Sequence, residues 1–319
     1  MTALPLATDP PRVELAHIGG SGTWAFAYPD GALDGHPHLS VRVVQPDLRF
    51  ATPFGPSPPF RLCRLTDQRT GRERDYLYVW MHGIDPENRS DAPGASARAS
   101  ERVFDVLARA GVRHVLIDNS TGGVAHDLAP WDLVIVGDVI DLSGVVPGPV
   151  PRGLIRFRDP LCPRLARSLG SAVEASWSHY ADLAGGPGAT PYVKAGGIYV
   201  HTPGPWFETP AEDHTYRRLG FDVVGKTAGP EFRLARMYRM CLGILSIVVN
   251  PAEGLGEFEH ADLRAIYRRC GPIMARIVIE AMAEAAPGSA PCRCGDPYGP
   301  SLFQEFAPFA TYRGGRAHG

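Results

Sequence analysis

The stretch that most restricts how this chain folds runs from Gly204 to Asn250. An apolar run, Gly197 to Val200, is followed by Gly204-Pro205, a pair that cannot continue a strand. Thr209 then stands where a helix cap belongs, with Pro210 at the first helical position and Glu212 three residues after the cap, which together make a capping box. The order strand, turn, capped helix sets Phe207 and Glu208 at the mouth of a strand-to-helix turn, where ligands of open α/β sheets sit. The stretch closes on Leu245-Ser246-Ile247-Val248-Val249, an apolar strand that ends on the side-chain amide of Asn250.

The remaining segments fit around this one. Residues 13–18 read as a first strand delivering Gly19-Gly20-Ser21-Gly22, where successive glycines let backbone N–H groups converge on an anion and the serine adds a donor. Residues 41–50, 59–66 and 74–82 look like consecutive antiparallel strands, and 84–97 has the composition of a loop. A helix is predicted over 100–110, ended by Gly111, and Val115-Leu116-Ile117 is a short buried strand running into Asp118-Asn119-Ser120-Thr121-Gly122-Gly123. Trp131–Leu142 reads as a strand, 163–170 as a short helix, and about 259–286 as a long amphipathic helix. Alternating strands and helices predict an α/β fold: a single domain with a mixed, mostly parallel central sheet flanked by helices. The expected boundaries are a disordered or peripheral N-terminus at 1–12, the domain at 13–286 and a C-terminal tail at 287–319.

Charge narrows the partners. At a net charge of −2 with 21% charged residues, no basic field exists to attract nucleic acid. No apolar run reaches the roughly 18–20 residues that a membrane span needs, and residues 1–11 lack a signal-peptide core, so a cytoplasmic protein is expected. Six cysteines are too few for a disulfide scaffold in 319 residues. Cys63, Cys162, Cys241 and Cys270 read as separate buried thiols, Cys292-Arg293-Cys294 as a pair in the tail, and no metal or organic cofactor is expected.

Gly19-Gly20-Ser21-Gly22, the block Gly204-Pro205-Trp206-Phe207-Glu208-Thr209-Pro210-Ala211-Glu212, the run Arg217–Thr227 and Asn250 resemble the purine nucleoside and methylthioadenosine phosphorylases, the trimeric branch of the nucleoside phosphorylase superfamily. The resemblance implies a pentosyltransferase whose partners are a purine nucleoside and phosphate, the latter as co-substrate. It implies that Phe207 packs on the base, Glu208 holds its N1/N2 edge, Asn250 bonds N7 and O6, and His260 reads the 5′ group. Relatives acting on adenine carry aspartate at the position of Asn250, which leans this chain toward 6-oxopurines. Lys226, beside Thr227 in the substrate set, replaces a methionine under the ribose, and Trp206 replaces a smaller residue and narrows the cleft.

On the phosphate side the pattern is altered. Ser21, Asn119 and Ser120 match phosphate-binding positions, but of an arginine and histidine block only His82 survives, in Met81-His82-Gly83-Ile84-Asp85-Pro86. The family's Thr-Asn-Ala-Ala-Gly-Gly turn becomes Asp118–Gly123, which puts a carboxylate beside the anion pocket; Lys226 then offsets Asp118, receives phosphate, or recognises an acidic group on the substrate. Two other readings stay open. One is a phosphate-independent nucleoside hydrolase in which Asp118 activates water, the other a tailoring or binding protein for a modified nucleoside. The catalytic candidates are thus Asn250, Asp118 and His82. The resemblance also implies a homotrimer in which Arg156-Phe157-Arg158-Asp159 reaches a neighbouring site.

Overall fold

A computed structural model describes residues 6–80, 95–148, 155–184, 191–204, 206–285 and 292–296. His82, the segment 84–94 and most of the tail lie outside these described residues. Three antiparallel strands form one wing of the sheet: β2 (Leu39–Leu48), β5 (Phe60–Asp67) and β6 (Arg72–Val79), with β3 (Ala51–Thr52) and β4 (Gly55–Pro56) as a small separate ribbon. The expected antiparallel run is therefore present. β6 passes to β1 (Leu15–Ile18) in parallel, and β1 passes to β7 (His114–Gly123).

The other wing holds β8 (Leu133–Asp141), β9 (Val193–His201), β10 (Val223–Gly225) and β11 (Cys241–Pro251). The nine strands run β10-β9-β8-β11-β7-β1-β6-β5-β2. β10 pairs in parallel with β9 and also antiparallel with β7, so strands 7 to 11 close into a ring. Helices α2 (Pro163–Ala184) and α5 (His260–Glu284) cover one face, packing on Leu116, Leu245 and Ile247. Helices α1 (Ala95–Ala110) and α4 (Ala228–Met237) cover the other, against Ile117, Ile244 and Val248. Strand alternation is what sends neighbouring residues of β7 and β11 into these two cores. Helix α3 (Pro210–Arg218) follows β9.

Three segments differ from expectation, the first being α1, which begins at Ala95 inside the segment read as a loop. The helix read over 163–170 continues to Ala184, because Gly170 is an interior helical position and the apolar face carries on through Ala172, Val173 and Tyr180. Asp118–Gly123, expected as a turn, is strand throughout: each residue pairs with β11, with Asp118 opposite Leu245 and Gly122 opposite Asn250. Length of pairing partner overrode local glycine content here. Among the described residues no helix is long and apolar enough to cross a membrane.

The ring closes tightly where β8 meets β9. Gly196 adopts a positive φ of 78°, and a Cβ on Gly137 would lie 2.7 Å from the Gly196 Cα. Since the obstacle is backbone, Gly137→Ala is expected to lower stability by about 1–3 kcal/mol, read as a lower midpoint in chemical denaturation; an unchanged midpoint would show that the strands part freely there.

Candidate active site

The C-terminal ends of β9, β10 and β11 and the start of α3 and α5 supply the site. Thr209 caps α3 as expected: its hydroxyl accepts from the Glu212 amide at 3.3 Å, and the Glu212 carboxylate accepts from the Thr209 amide at 2.8 Å. This fixes the chain entering the helix and turns Glu208 inward, 8% exposed, while Phe207 stays 49% exposed and Trp206 stands out in solvent. Glu208 Oε1 accepts from the Thr202 hydroxyl at the end of β9 and from the Lys226 ammonium just after β10. Lys226 Nζ also donates to Thr202 Oγ1 at 2.8 Å and lies 6.0 Å from the centre of the Phe207 ring. Glu208 Oε2 has no partner among the described residues.

His260, the first residue of α5, sits edge-on to Phe207 with ring centres 6.3 Å apart, and Phe258 stacks on its other side at 6.2 Å. Phe207, Glu208, Lys226 and His260 therefore come together. Asn250 reaches the same end of the sheet on β11, after a bulge at Val249 shifts the register against β7, the kind of irregularity that re-aims a side chain. It is buried, its Nδ2 donating to the Pro251 carbonyl at 2.7 Å. The loop that follows packs on the start of α3: a Cβ on Gly254 would fall 2.4 Å from Pro210 Cβ. Thr227 is buried at the head of α4, facing the Tyr199 hydroxyl.

Lys226 does not offset Asp118, as one sequence reading had it; its partner is Glu208. Asp118 is 1% exposed, and both its oxygens are engaged, Oδ2 at 2.7 Å from His17 Nε2 and Oδ1 accepting from the Gly20 amide at 3.1 Å. The chain continues inward from His17 Nδ1 to the Tyr28 hydroxyl at 3.0 Å and on to Tyr76 at 2.7 Å, with burial raising both phenols. Every member finds a partner with His17 protonated on Nε2. Asp118 is thus a buried tie between β1 and β7. Gly20 serves the same contact: a Cβ there would meet the Asp118 carbonyl oxygen at 2.5 Å.

The three serine and asparagine candidates separate by strand alternation. Ser120 faces α5, where its hydroxyl lies 3.3 Å from Tyr267 Oη, and Ser21 lies near the same phenol. Asn119 points to the opposite face and accepts from the Ser246 hydroxyl, so it does not join them. Tyr267 was missed because helix α5 reads as apolar periodicity, in which a tyrosine passes for packing. Phe157 packs edge-on against Phe232 of its own α4, at 5.3 Å, while Arg156 and Arg158 are exposed.

One further residue escaped the sequence. Asp213, in the first turn of α3, is fully buried, and neither oxygen makes a hydrogen bond of good geometry among the described residues. Burial first, then the nearby Glu208 charge, push its carboxyl up to about 7.

Residues 46–283 match the model of a family described as the Phosphorylase superfamily. The chain is 30% identical to a protein of Methanopyrus kandleri described as a probable S-methyl-5′-thioinosine phosphorylase, over 74% of this chain and 87% of that one. It is 27% identical to an S-methyl-5′-thioadenosine phosphorylase of Koribacter versatilis, over 94% and 93%. Among solved structures, a methylthioadenosine phosphorylase from an antarctic soil metagenomic library superposes with a TM-score of 0.67 at 22% identity, covering 91% of this chain and 92% of that one.

The raised Asp213 carboxyl carries a pH signature. Its folded value lies above the ordinary 3.8, so the folded state holds the proton more tightly; the stability this gives is complete below about 4 and lost as pH rises through about 7. Asp213→Asn is expected to melt higher than the parent at pH 8 and nearly level with it at pH 4, in thermal scans at both values. A gap independent of pH would show that Asp213 does not titrate in this window.

Proposed function

We propose, since the chain belongs to the Phosphorylase superfamily and is an enzyme of the purine nucleoside phosphorylase kind, that it cleaves 6-oxopurine nucleosides with phosphate, using a phosphate site of unusual composition. The observation that carries the reading is the half-exposed Phe207 ring, edge-on to His260 and 6.0 Å from the Lys226 ammonium that pairs with Glu208, whose Oε2 is open. A purine stacked on Phe207 would present its N1–H, and in guanine its 2-amino group, to Glu208 Oε2. The Asn250 amide both donates and accepts, which suits N7 together with O6.

In the reaction a phosphate oxygen bonds to C1′ while the C1′–N9 bond breaks, and the bonding pair leaves on the purine. The negative charge then spreads to N7 and O6, where a hydrogen bond from Asn250 is worth more than in the bound nucleoside. His260 and Phe258 line the region beyond the ribose and would contact the 5′ substituent. For the anion, the hydroxyls of Ser21, Ser120 and Tyr267 supply donors without charge. The burial of Asp118, 1% exposed and tied to His17, argues against the hydrolytic alternative, since a general base must reach the attacking water.

Release of free base from inosine, guanosine and methylthioinosine is expected only when phosphate is present. Glu208→Gln is expected to lower kcat/KM on these substrates by roughly 10- to 100-fold, the worth of a hydrogen bond to a charged group. Release at equal rates without phosphate would replace phosphorolysis by hydrolysis, and no release at all would leave a binding protein. The chain is also proposed to form a homotrimer, with exposed apolar side chains such as Leu142 and Val146 at its contacts. Light scattering should then give three times the 34.5 kDa chain mass, and a mass near one chain would overturn it.

A further inference from the structure

Four of the six cysteines meet at one point. Cys162 immediately precedes α2, Cys241 opens β11, and Cys292 and Cys294 belong to the short C-terminal segment 292–296. Their sulfurs all lie within 4.8 Å of one another, the Cys241 and Cys292 sulfurs 3.4 Å apart, and all four are free thiols. Cys162, Cys241 and Cys294 are buried, and Cys292 is partly so. Among the described residues the cluster holds no carboxylate or imidazole ligand. From these positions we propose that the chain binds one structural zinc ion through Cys162, Cys241, Cys292 and Cys294.

The geometry fits the ion. Zinc takes thiolate sulfur at about 2.3 Å in a tetrahedron, which sets neighbouring sulfurs roughly 3.8 Å apart, and the four thiols need only small movements to reach that spacing. Tetrahedral all-sulfur coordination suits a borderline-soft cation and not magnesium or calcium. On binding, the four thiols release their protons and the site carries a net charge of −2. The Arg164 guanidinium is placed to offset it, donating to Cys241 Sγ at 3.7 Å. The scaffold is also built on both sides: the Cys162 amide donates to the Leu242 carbonyl at 2.7 Å, and Arg236 Nη1 donates to the Cys294 carbonyl at 2.6 Å and to that of Asp296 at 3.3 Å.

The site's place in the fold assigns its role. Cys241 and Asn250 lie near opposite ends of β11, about 30 Å apart at the usual rise per residue, so the ion would stand far from the nucleoside. Its effect would be to fasten the C-terminal segment to the foot of β11 and α2. This reading does not depend on which substrate the enzyme takes.

The full chain, purified with reductant and without chelator, is expected to carry about one zinc per chain by elemental analysis. The double variant Cys292→Ser/Cys294→Ser, altered only in the tail, is expected to fold with an unchanged circular dichroism spectrum and to lose the zinc. Cys63→Ser, whose thiol is buried elsewhere, is expected to keep it. Cobalt loaded into the metal-free protein should show thiolate charge-transfer bands and tetrahedral ligand-field bands that the double variant lacks. Four titratable thiols with no metal, two disulfides found by mass spectrometry after alkylation, stoichiometric iron in place of zinc, or zinc retained by the double variant would each overturn the proposal.

Discussion

The pairing of β10 with both β9 and β7 is the constraint from which the site follows. Val223 to Gly225 pair with Tyr199–His201 on one side, and Val223 and Val224 pair with Gly123 and Gly122 on the other. That double pairing bends the sheet into a ring and brings the ends of β9, β10 and β11 to one rim. Without it Lys226, which follows β10 directly, would have no reason to lie beside Thr202 at the end of β9 and Glu208 before α3. Small residues make the closure possible: a Cβ at Gly225 would fall 2.2 Å from the Tyr199 hydroxyl, and one at Gly122 would touch Val224 at 3.3 Å.

A second constraint, the Asp118–His17 contact, decides what the neighbouring strands present. Burying a carboxylate costs several kcal/mol unless its oxygens are satisfied, and here an imidazole and a backbone amide satisfy them. The negative charge that the sequence set against the anion pocket is thereby spent on joining β1 to β7. Alternation along β7 then leaves Ser120, two residues on, facing the same layer as Asp118 and next to Tyr267. The departure from the family pattern at Asp118 is accounted for by its buried partners.

What was legible in the sequence was local. The Thr209–Glu212 box spans four residues and announces α3, and the apolar period of α5 gives its bounds nearly to the residue, Glu259–Ala286 against His260–Glu284. The position of Phe207 and Glu208 followed from the turn they flank, and their role at a base only from the resemblance. What was not legible depends on partners distant in the chain: His17 and Asp118 are 101 residues apart, Lys226 and Glu208 are 18 apart, and β7 extends through a glycine-rich segment because β11 lies alongside it. The cysteines make the same point, since Cys162 and Cys241 read as isolated thiols until the fold sets them against Cys292 and Cys294.

The Lys226–Glu208 pair bears directly on which base the site would favour. Its Glu208 side chain is 4% exposed and that of Lys226 24%, so removing either partner strands a poorly hydrated charge, at a cost of about 3–5 kcal/mol for a fully buried pair and less here. A ligand therefore gains nothing by displacing Lys226, and a base must bind with the pair intact. In the proposed binding mode, a purine with N1 at Glu208 Oε2 and its C6 edge turned toward Lys226 would set its 6-substituent beside the ammonium. A 6-oxo group is an acceptor and suits that cation; a 6-amino group offers only donors and meets it unfavourably. On the proposed reading, Lys226 would favour a 6-oxo base, in the same direction as Asn250.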